Sequence, residues 1–424
     1  MSKFSSWKKA GTAIVATLMT VGMLGACGSS SSSSGTKITI FNSKVEIEDM
    51  AAKYSKEKGV DVEVYYSNDT VAAHLATKYA SKDPYTISMV DAKDIYSLAE
   101  EHAVDLSDQD WVKDTDYAIS IDGKTYGFPV SIEARGLIYN ADAIKKVTGK
   151  EFKPENYKTL DEFKDLIDEL KAGGMESPTG VMKEDWSLAA HFLPEVYEEQ
   201  EDPDAFCHEL KDGKVDLSSN AKWNSLMDFF DVMKDNNYAK SSAISAEREV
   251  TEQKLAEGEI AFMFGGNWDW SVLNQYDYTE NMGLMPVPQN TNDGSNEKLV
   301  GGGSKYFFID SSDNTSDEQR QAAKDFLNWL AEDKAGQEFI STDAALISPF
   351  KNNEIEASDP LGKSVKSYAD AGKLIGNYNY LPDDHFSVLG AAFQKWLAGE
   401  EDRAGLAQDI QDYWKTAKFT GATA

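Results

Sequence analysis

Apolar and polar positions alternate in Lys37–Phe41 (KITIF), which predicts a strand. Ile47, Met50, Ala51 and Tyr54 then fall at helical spacing, predicting a helix over Val45–Lys58, and alternation returns in Val60–Tyr66 (VDVEVYY). A β-α-β opening of this kind implies a parallel strand pair and a right-handed crossover. Thr70–Ser81 reads as a helix, Thr86–Val90 as a strand ending at Asp91, and Asp94–Glu101 as a short helix. Lys124–Asn140 is a long strand-rich segment interrupted by Glu133-Ala134-Arg135. A charged pair inside an otherwise buried strand needs a reason. Either the two residues find partners, or the strand crosses open space between two lobes; we favour the crossing.

From Pro154 the pattern turns mainly helical. Thr159 and Glu162 fit a capping box ahead of Phe163, Leu166, Ile167 and Leu170, and Gly173-Gly174 ends that helix. Thr179–Val181 is a short strand candidate, and Trp186 follows on a loop or helix start. Trp223, Leu226, Met227, Phe230 and Met233 share one helical face. Gly283–Pro288 reads as extended and Lys305–Asp310 as a strand. Ser316 and Gln319 cap the helix that carries Phe326, Leu327 and Leu330. Leu346–Phe350 is extended, a second candidate for a crossing, and Ala391–Lys415 is one amphipathic helical tail.

The stretch Leu255–Leu273 (LAEGEIAFMFGGNWDWSVL) bears most directly on function. Gly258 stops a helix. Ile260–Phe264 is a continuous apolar run, as expected of a strand covered on both faces, and Gly265-Gly266 breaks it. Asn267, Trp268, Asp269 and Trp270 then occupy the exit loop, where open α/β sheets bind ligands. An indole beside an amide and a carboxylate suits a sugar: the ring face takes a pyranose C–H face and the polar groups take hydroxyls. Core packing is the competing reading of both tryptophans. By the same strand-end rule, Asn42, Ser43, Lys44 and Glu46 face a crevice.

The chain has 424 residues with 41% apolar side chains, enough for a sizeable core in two domains or one two-lobed fold. A net charge of −30 argues against nucleic acid as a partner, since phosphates would be repelled. Lys3, Lys8 and Lys9 precede the apolar stretch Ala10–Gly25, too short to be a convincing membrane span, and Leu24-Gly25-Ala26-Cys27 looks like a bacterial lipobox. Residues 1–26 are therefore expected to be a lipoprotein signal peptide. Residues 27–35 are expected to be a lipidated Cys27 and a serine-rich tether that hold the protein on the outer face of a membrane, with a Gram-positive surface fitting best. Cys207 is left without a disulfide partner, and neither it nor the five histidines show metal-ligand spacing, so no metal and no cofactor are expected.

Three segments resemble one family: the extracellular solute-binding lipoproteins of carbohydrate ABC importers, the group that includes maltose-binding protein. They are Tyr126–Asn140 (YGFPVSIEARGLIYN), Gly258–Leu273, and Gly301–Gly336 followed by Ser348-Pro349-Phe350. The resemblance implies an α/β fold of the periplasmic-binding type, with two lobes, hinge crossings and a central ligand cleft. It places 36–140 with 301–345 in the first lobe, and 141–300 with 346–424 in the second. It implies that Trp268 stacks on the sugar and that Glu133 accepts hydroxyls. Lys44 and Glu46 lie where the first β-α loop meets ligand. Trp186 and Phe386, the latter next to His385, lie at further stacking positions. Asp91 matches a strand-end contact, although the motif before it reads Pro84-Tyr85-Thr86 here.

The leading expectation is a monomeric, non-catalytic protein that captures a carbohydrate, an oligosaccharide above all, and delivers it to the transmembrane subunits of an ABC permease. The same fold with a polyamine or peptide cargo stays open. So does a secreted glycosidase, which needs two carboxylates roughly 5 to 10 Å apart across one bond. Nucleophile-elbow, phosphate-loop and zinc-protease motifs are missing from the sequence.

Overall fold

The computed structural model describes residues 36–43, 47, 49–67 and 71–419. Among the described residues, twelve strands run in chain order: β1 Lys37–Phe41, β2 Asp61–Tyr65, β3 Ile87–Asp91, β4 Ile119–Ile121, β5 Lys124–Pro129, β6 Ile132–Asn140, β7 Thr179–Gly180, β8 Phe262–Gly266, β9 Met282–Met285, β10 Leu299–Gly303, β11 Lys305–Ile309 and β12 Leu374–Ile375. The alternating and apolar-run segments at the amino end form the parallel set β2-β1-β3, as their β-α-β spacing implies. Strand β11 adds antiparallel to β3, followed by β5 and β4, to complete a six-stranded sheet in the order β2-β1-β3-β11-β5-β4. The second sheet runs β12-β10-β6-β8-β7, with β9 also paired to β6.

Helices cover both faces of each sheet, so the fold is α/β with two lobes. The first sheet buries Ile38, Ile87, Phe307 and Phe326 on one side, and Phe41, Val90, Ile95 and Phe308 on the other. The second buries Leu137, Phe163, Phe230, Phe262 and Trp414 on one side, and Ile138, Met263, Leu284 and Leu361 on the other. This two-sided burial is why Ile260–Phe264, which leads into β8, reads as an unbroken apolar run.

The lobes are joined by crossings. Strand β5 belongs to the first sheet and β6 to the second, with only Val130 and Ser131 between them. Ser304 alone separates β10 from β11 on the way back. A third pass occurs at 346–350: Leu346 and Phe350 pack in the first core, whereas Ile347 packs in the second and bridges Ile132. The crossings are bonded to one another. Val130 N–H donates to Lys305 O at 2.8 Å, Ser304 N–H to Ser131 O at 3.0 Å, and Ile132 N–H to Ile347 O at 2.9 Å. The Ser131 and Ser304 hydroxyls meet at 3.0 Å.

Three local expectations shift. The first helix is Met50–Lys58, ending at Gly59 in the left-handed region. The tail is two helices, His385–Ala398 and Arg403–Thr416, because Gly399 takes a φ of 74° and Asp402 caps a new start by accepting from Gly405 N–H. Strand β8 begins at Phe262 and runs through both glycines instead of ending before them. A Cβ on Gly265 would run into the Asp269 carboxylate, and one on Gly266 would lie 2.6 Å from Trp268 Cε3. The glycines make room for the two side chains that fold back over the strand end.

Gly301 makes a comparable close approach on β10. A Cβ there would sit 2.5 Å from the Cα of Ala134 on the paired strand, which is backbone and cannot swing aside. Gly301→Ala is therefore expected to destabilise the protein by about 1–3 kcal/mol. A lowered urea midpoint at unchanged m-value would show it, and an unchanged midpoint would contradict it.

Candidate functional site

Between the two sheets lies a cavity of about 360 Å³. On the first-lobe side it is lined by Asp91, Ala92 and Lys93, where β3 passes into the helix Ala92–His102, and by Ser304 and Lys305 at the start of β11. On the second-lobe side it is lined by Glu133 and Arg135 of β6, His191, Trp268 and the segment 377–381. The carboxyl end of β3 thus opens into the site, as the strand-end rule requires.

The first-lobe wall is a charge cluster. Lys305 Nζ donates to Asp91 Oδ1 at 2.5 Å. Burial opposes the Lys305 charge, yet Asp91, Glu133 and Asp94 outweigh it and hold its pKa above the ordinary lysine value. Asp94 accepts from Asp91 N–H at 3.1 Å, and burial, reinforced by the Asp91 charge, pushes its pKa up to about 6.

The aromatic wall depends on buried ion pairs. Trp268 sits on a single 3-10 turn, Asn267–Asp269. Asn267 Oδ1 accepts from Ala134 N–H at 2.9 Å, fastening the turn to β6. Asp269 is fully buried: its Oδ2 accepts from Gly266 N–H at 2.9 Å and its Oδ1 from Arg248 Nη2 at 2.7 Å. The same guanidinium places Nε 2.8 Å from Glu252 and lies 5.2 Å from the Trp186 ring centroid. His191 lies between the tryptophans, tilted against Trp268 at 4.5 Å and edge-on to Trp186 at 5.4 Å. The packing around His191, with Arg135 and Arg248 nearby, pushes its pKa down to about 3, so it is neutral at pH 7. Burial, then the neighbouring Asp269, raises the Glu252 pKa, so Glu252 holds the proton that these two buried carboxyls share. The Trp268 Nε1 is buried and has no acceptor among the described residues.

The floor is set by Arg135, which is 5% exposed. Its guanidinium pairs with Glu198, lies 3.4 Å from Glu195 and donates to Asn377 Oδ1 at 2.9 Å. Burial raises the pKa values of both glutamates and Arg135 counters it. Glu198 Oε1 also accepts from Tyr378 N–H at 2.9 Å, so one buried pair holds the segment 377–381 against the cavity.

Of the residues expected from sequence, Asp91, Glu133 and Trp268 come together around the cavity. Asn267 lies beside it with its carbonyl oxygen committed to β6. Trp186 stands behind Trp268, across His191. Trp270 packs edge-on to Tyr278, at 4.9 Å. Asn42 is buried at the end of β1 and donates to the Tyr66 hydroxyl at 3.1 Å. His385 lies inside the second core, 3.2 Å from the Tyr197 hydroxyl, and burial pushes its pKa down to about 3. Phe386, its neighbour, is exposed on the helix surface and does not line the cavity. Lys44, Glu46 and Cys27 lie outside the described residues. Sequence reasoning missed the segment 377–381, whose alternation of Asn and aromatic residues (NYNYL) is the one local signal it carries. It also missed Glu195 and Glu198, acidic positions on an otherwise apolar helix face.

A family model described as bacterial extracellular solute-binding protein matches residues 49–418. Among solved structures, the chain is similar to the binding protein MsmE of Bacillus subtilis subsp. subtilis in an open conformation, at 20% identity over 91% of this chain and 98% of that one, with a TM-score of 0.74. It is similar to RafE in complex with raffinose, at 18% identity over 90% and 99%, with a TM-score of 0.70. It is also similar to a binding protein of an ABC transporter from Bifidobacterium animalis subsp. lactis in complex with mannobiose, at 18% identity over 90% and 94%, with a TM-score of 0.64. At these identities the likeness is one of fold.

The shared proton makes the support of Trp268 testable. A carboxyl whose folded pKa is raised stabilises the fold at pH values below the ordinary carboxyl value of 4.5 and loses that contribution as pH rises past it. Glu252→Gln keeps a neutral hydrogen-bonding group and should flatten this part of the pH dependence. Asp269→Asn removes the charge facing Arg248 and should cost about 3–5 kcal/mol. Chemical denaturation of both variants across pH 5 to 9 checks the pair; equal losses at pH 7 would contradict the assignment of the proton to Glu252.

Proposed function

Because the chain belongs to the bacterial extracellular solute-binding proteins, we propose that it captures a carbohydrate, an oligosaccharide above all, in the cavity between its lobes and delivers it to an ABC permease. The observation that carries this reading is the Trp268 indole sharing the cavity with carboxylates and amides, Asp91, Glu133, Asn377 and Asn379. A ring face covers apolar C–H groups, and Glu133 accepts hydroxyls. The relatives seen with raffinose and mannobiose support the same class of cargo. A polyamine fits less well, because Lys305 already occupies Asp91, the carboxylate it would seek. We take the moving bodies to be 36–131 with 304–345, built on the first sheet, and 132–303 with 351–424, built on the second, sharing the 346–350 pass. Their closure would be binding without catalysis, with affinity set by the difference between open and closed states.

In the same reading Cys27 is lipidated and the serine tether keeps the binder near its permease, raising the effective concentration. Cys27→Ser should move the protein from the membrane fraction to the medium; retention at the membrane would count against the anchor.

A thermal-shift screen against mono- and oligosaccharides, polyamines and peptides tests the cargo. A ligand at a hundred times its dissociation constant should stabilise by about 2.7 kcal/mol. Trp268→Ala should weaken binding by about 2 kcal/mol or more, roughly thirtyfold, and Glu133→Gln by about 1.5–3 kcal/mol. A shift produced only by a polyamine or a peptide would overturn the carbohydrate reading.

A further inference from the structure

The two lobes meet a second time, away from the crossings. Lys93 lines the cavity, and its Nζ donates to Asp383 Oδ1 on the opposite lobe at 2.5 Å. One turn further along the same helix, the Tyr96 ring lies against Tyr380, with centroids 5.0 Å apart and planes tilted by 54°. Tyr380 sits between Asn379 and Leu381, both of which line the cavity. The exposed ion pair contributes little by itself. The half-buried ring contact is the more durable part.

This barrier is held from below as well as across. Arg135 fastens Asn377, and Glu198 accepts from Tyr378 N–H. The Tyr378 hydroxyl donates to Asp204 at 2.9 Å, and the Tyr413 hydroxyl to Asp384 at 2.6 Å. The segment is therefore pinned on both sides of Tyr380. The cavity it bounds is near the small end of the range for ligand sites, roughly 300–1,000 Å³.

We infer that Lys93, Asn379 and Leu381, backed by the Tyr96–Tyr380 contact behind them, form an end wall that makes the cleft blind on the Lys93 side. The site then grips the terminal units of a short oligosaccharide and rejects a chain that continues past Leu381. This rests on the carbohydrate reading, and it makes Tyr96 and Tyr380 determinants of chain length through the wall they back.

The test uses the purified protein and calorimetric titration with the raffinose series, manno-, chito- and malto-oligosaccharides. Each is offered free, tagged with 2-aminobenzamide at its reducing end where it has one, or extended at its non-reducing end. For the series that binds, modification of one end should cost about tenfold or more in affinity and modification of the other about threefold or less. Tyr96→Ala should raise the ratio of affinities, penalised over free ligand, by about tenfold, and Tyr96→Phe, which keeps the ring, should leave that ratio unchanged. Equal tolerance of modification at both ends in the unaltered protein overturns the end wall, whatever the variants do. An unchanged ratio in Tyr96→Ala overturns the role of the tyrosines while the carbohydrate reading stands. Absence of binding by every oligosaccharide overturns that reading and the end wall with it.

Discussion

The short hydrogen-bonded knot at Val130–Ile132, Gly303–Lys305 and Ile347 is the constraint on which the cleft depends. Here main chain passes between the sheets with almost no linker, and each pass donates to or accepts from another. Because β6 and β11 start at this knot, Lys305 belongs to it and Glu133 follows it directly, on strands of opposite lobes. The charges that face each other across the cavity are positioned by backbone geometry. Rotation about the knot would move them relative to one another without disturbing either core, which is what a closing binding protein requires.

The second dependence is on buried charge. Arg135 with Glu195 and Glu198, and Arg248 with Asp269 and Glu252, are costly to desolvate and gain little net stability over apolar packing. Their value here lies in direction. Losing either arginine, or Asp269, leaves a buried charge uncompensated, so the geometry around each guanidinium is held firmly. One guanidinium fixes the turn that presents Trp268; the other fixes the segment 377–381. A wall and a floor that are rigid before ligand arrives spare the ordering cost that a flexible site would have to meet on binding.

Much of the fold was legible along the chain because its signals are local. Alternation in Lys37–Phe41, the apolar run of β8 and the caps at Thr159 and Ser316 each depend on neighbours within a few residues. The glycines at 265 and 266 were misjudged for the opposite reason. In sequence they look like a break, whereas in space they are the part of the strand over which Asp269 and Trp268 fold. The pair Glu133 and Arg135 posed a choice between partners and a crossing, and both hold: Arg135 has its glutamates, and β6 follows directly on a crossing.

By itself, the sequence determined the strand and helix periodicities, the mixed α/β class and Trp268 as the ring beside a strand end. All of these follow from spacing within one element. Only the tertiary structure decided which residues share the cavity. Asn377 lies 242 positions from the arginine that holds it, and Lys93 lies 290 from Asp383. His385 and Phe386 are neighbours in the chain, yet one is in the core and the other is on the surface. Local pattern reports which face of an element is apolar. It does not report which distant element covers that face, because that is settled by packing between segments that chain order leaves unrelated.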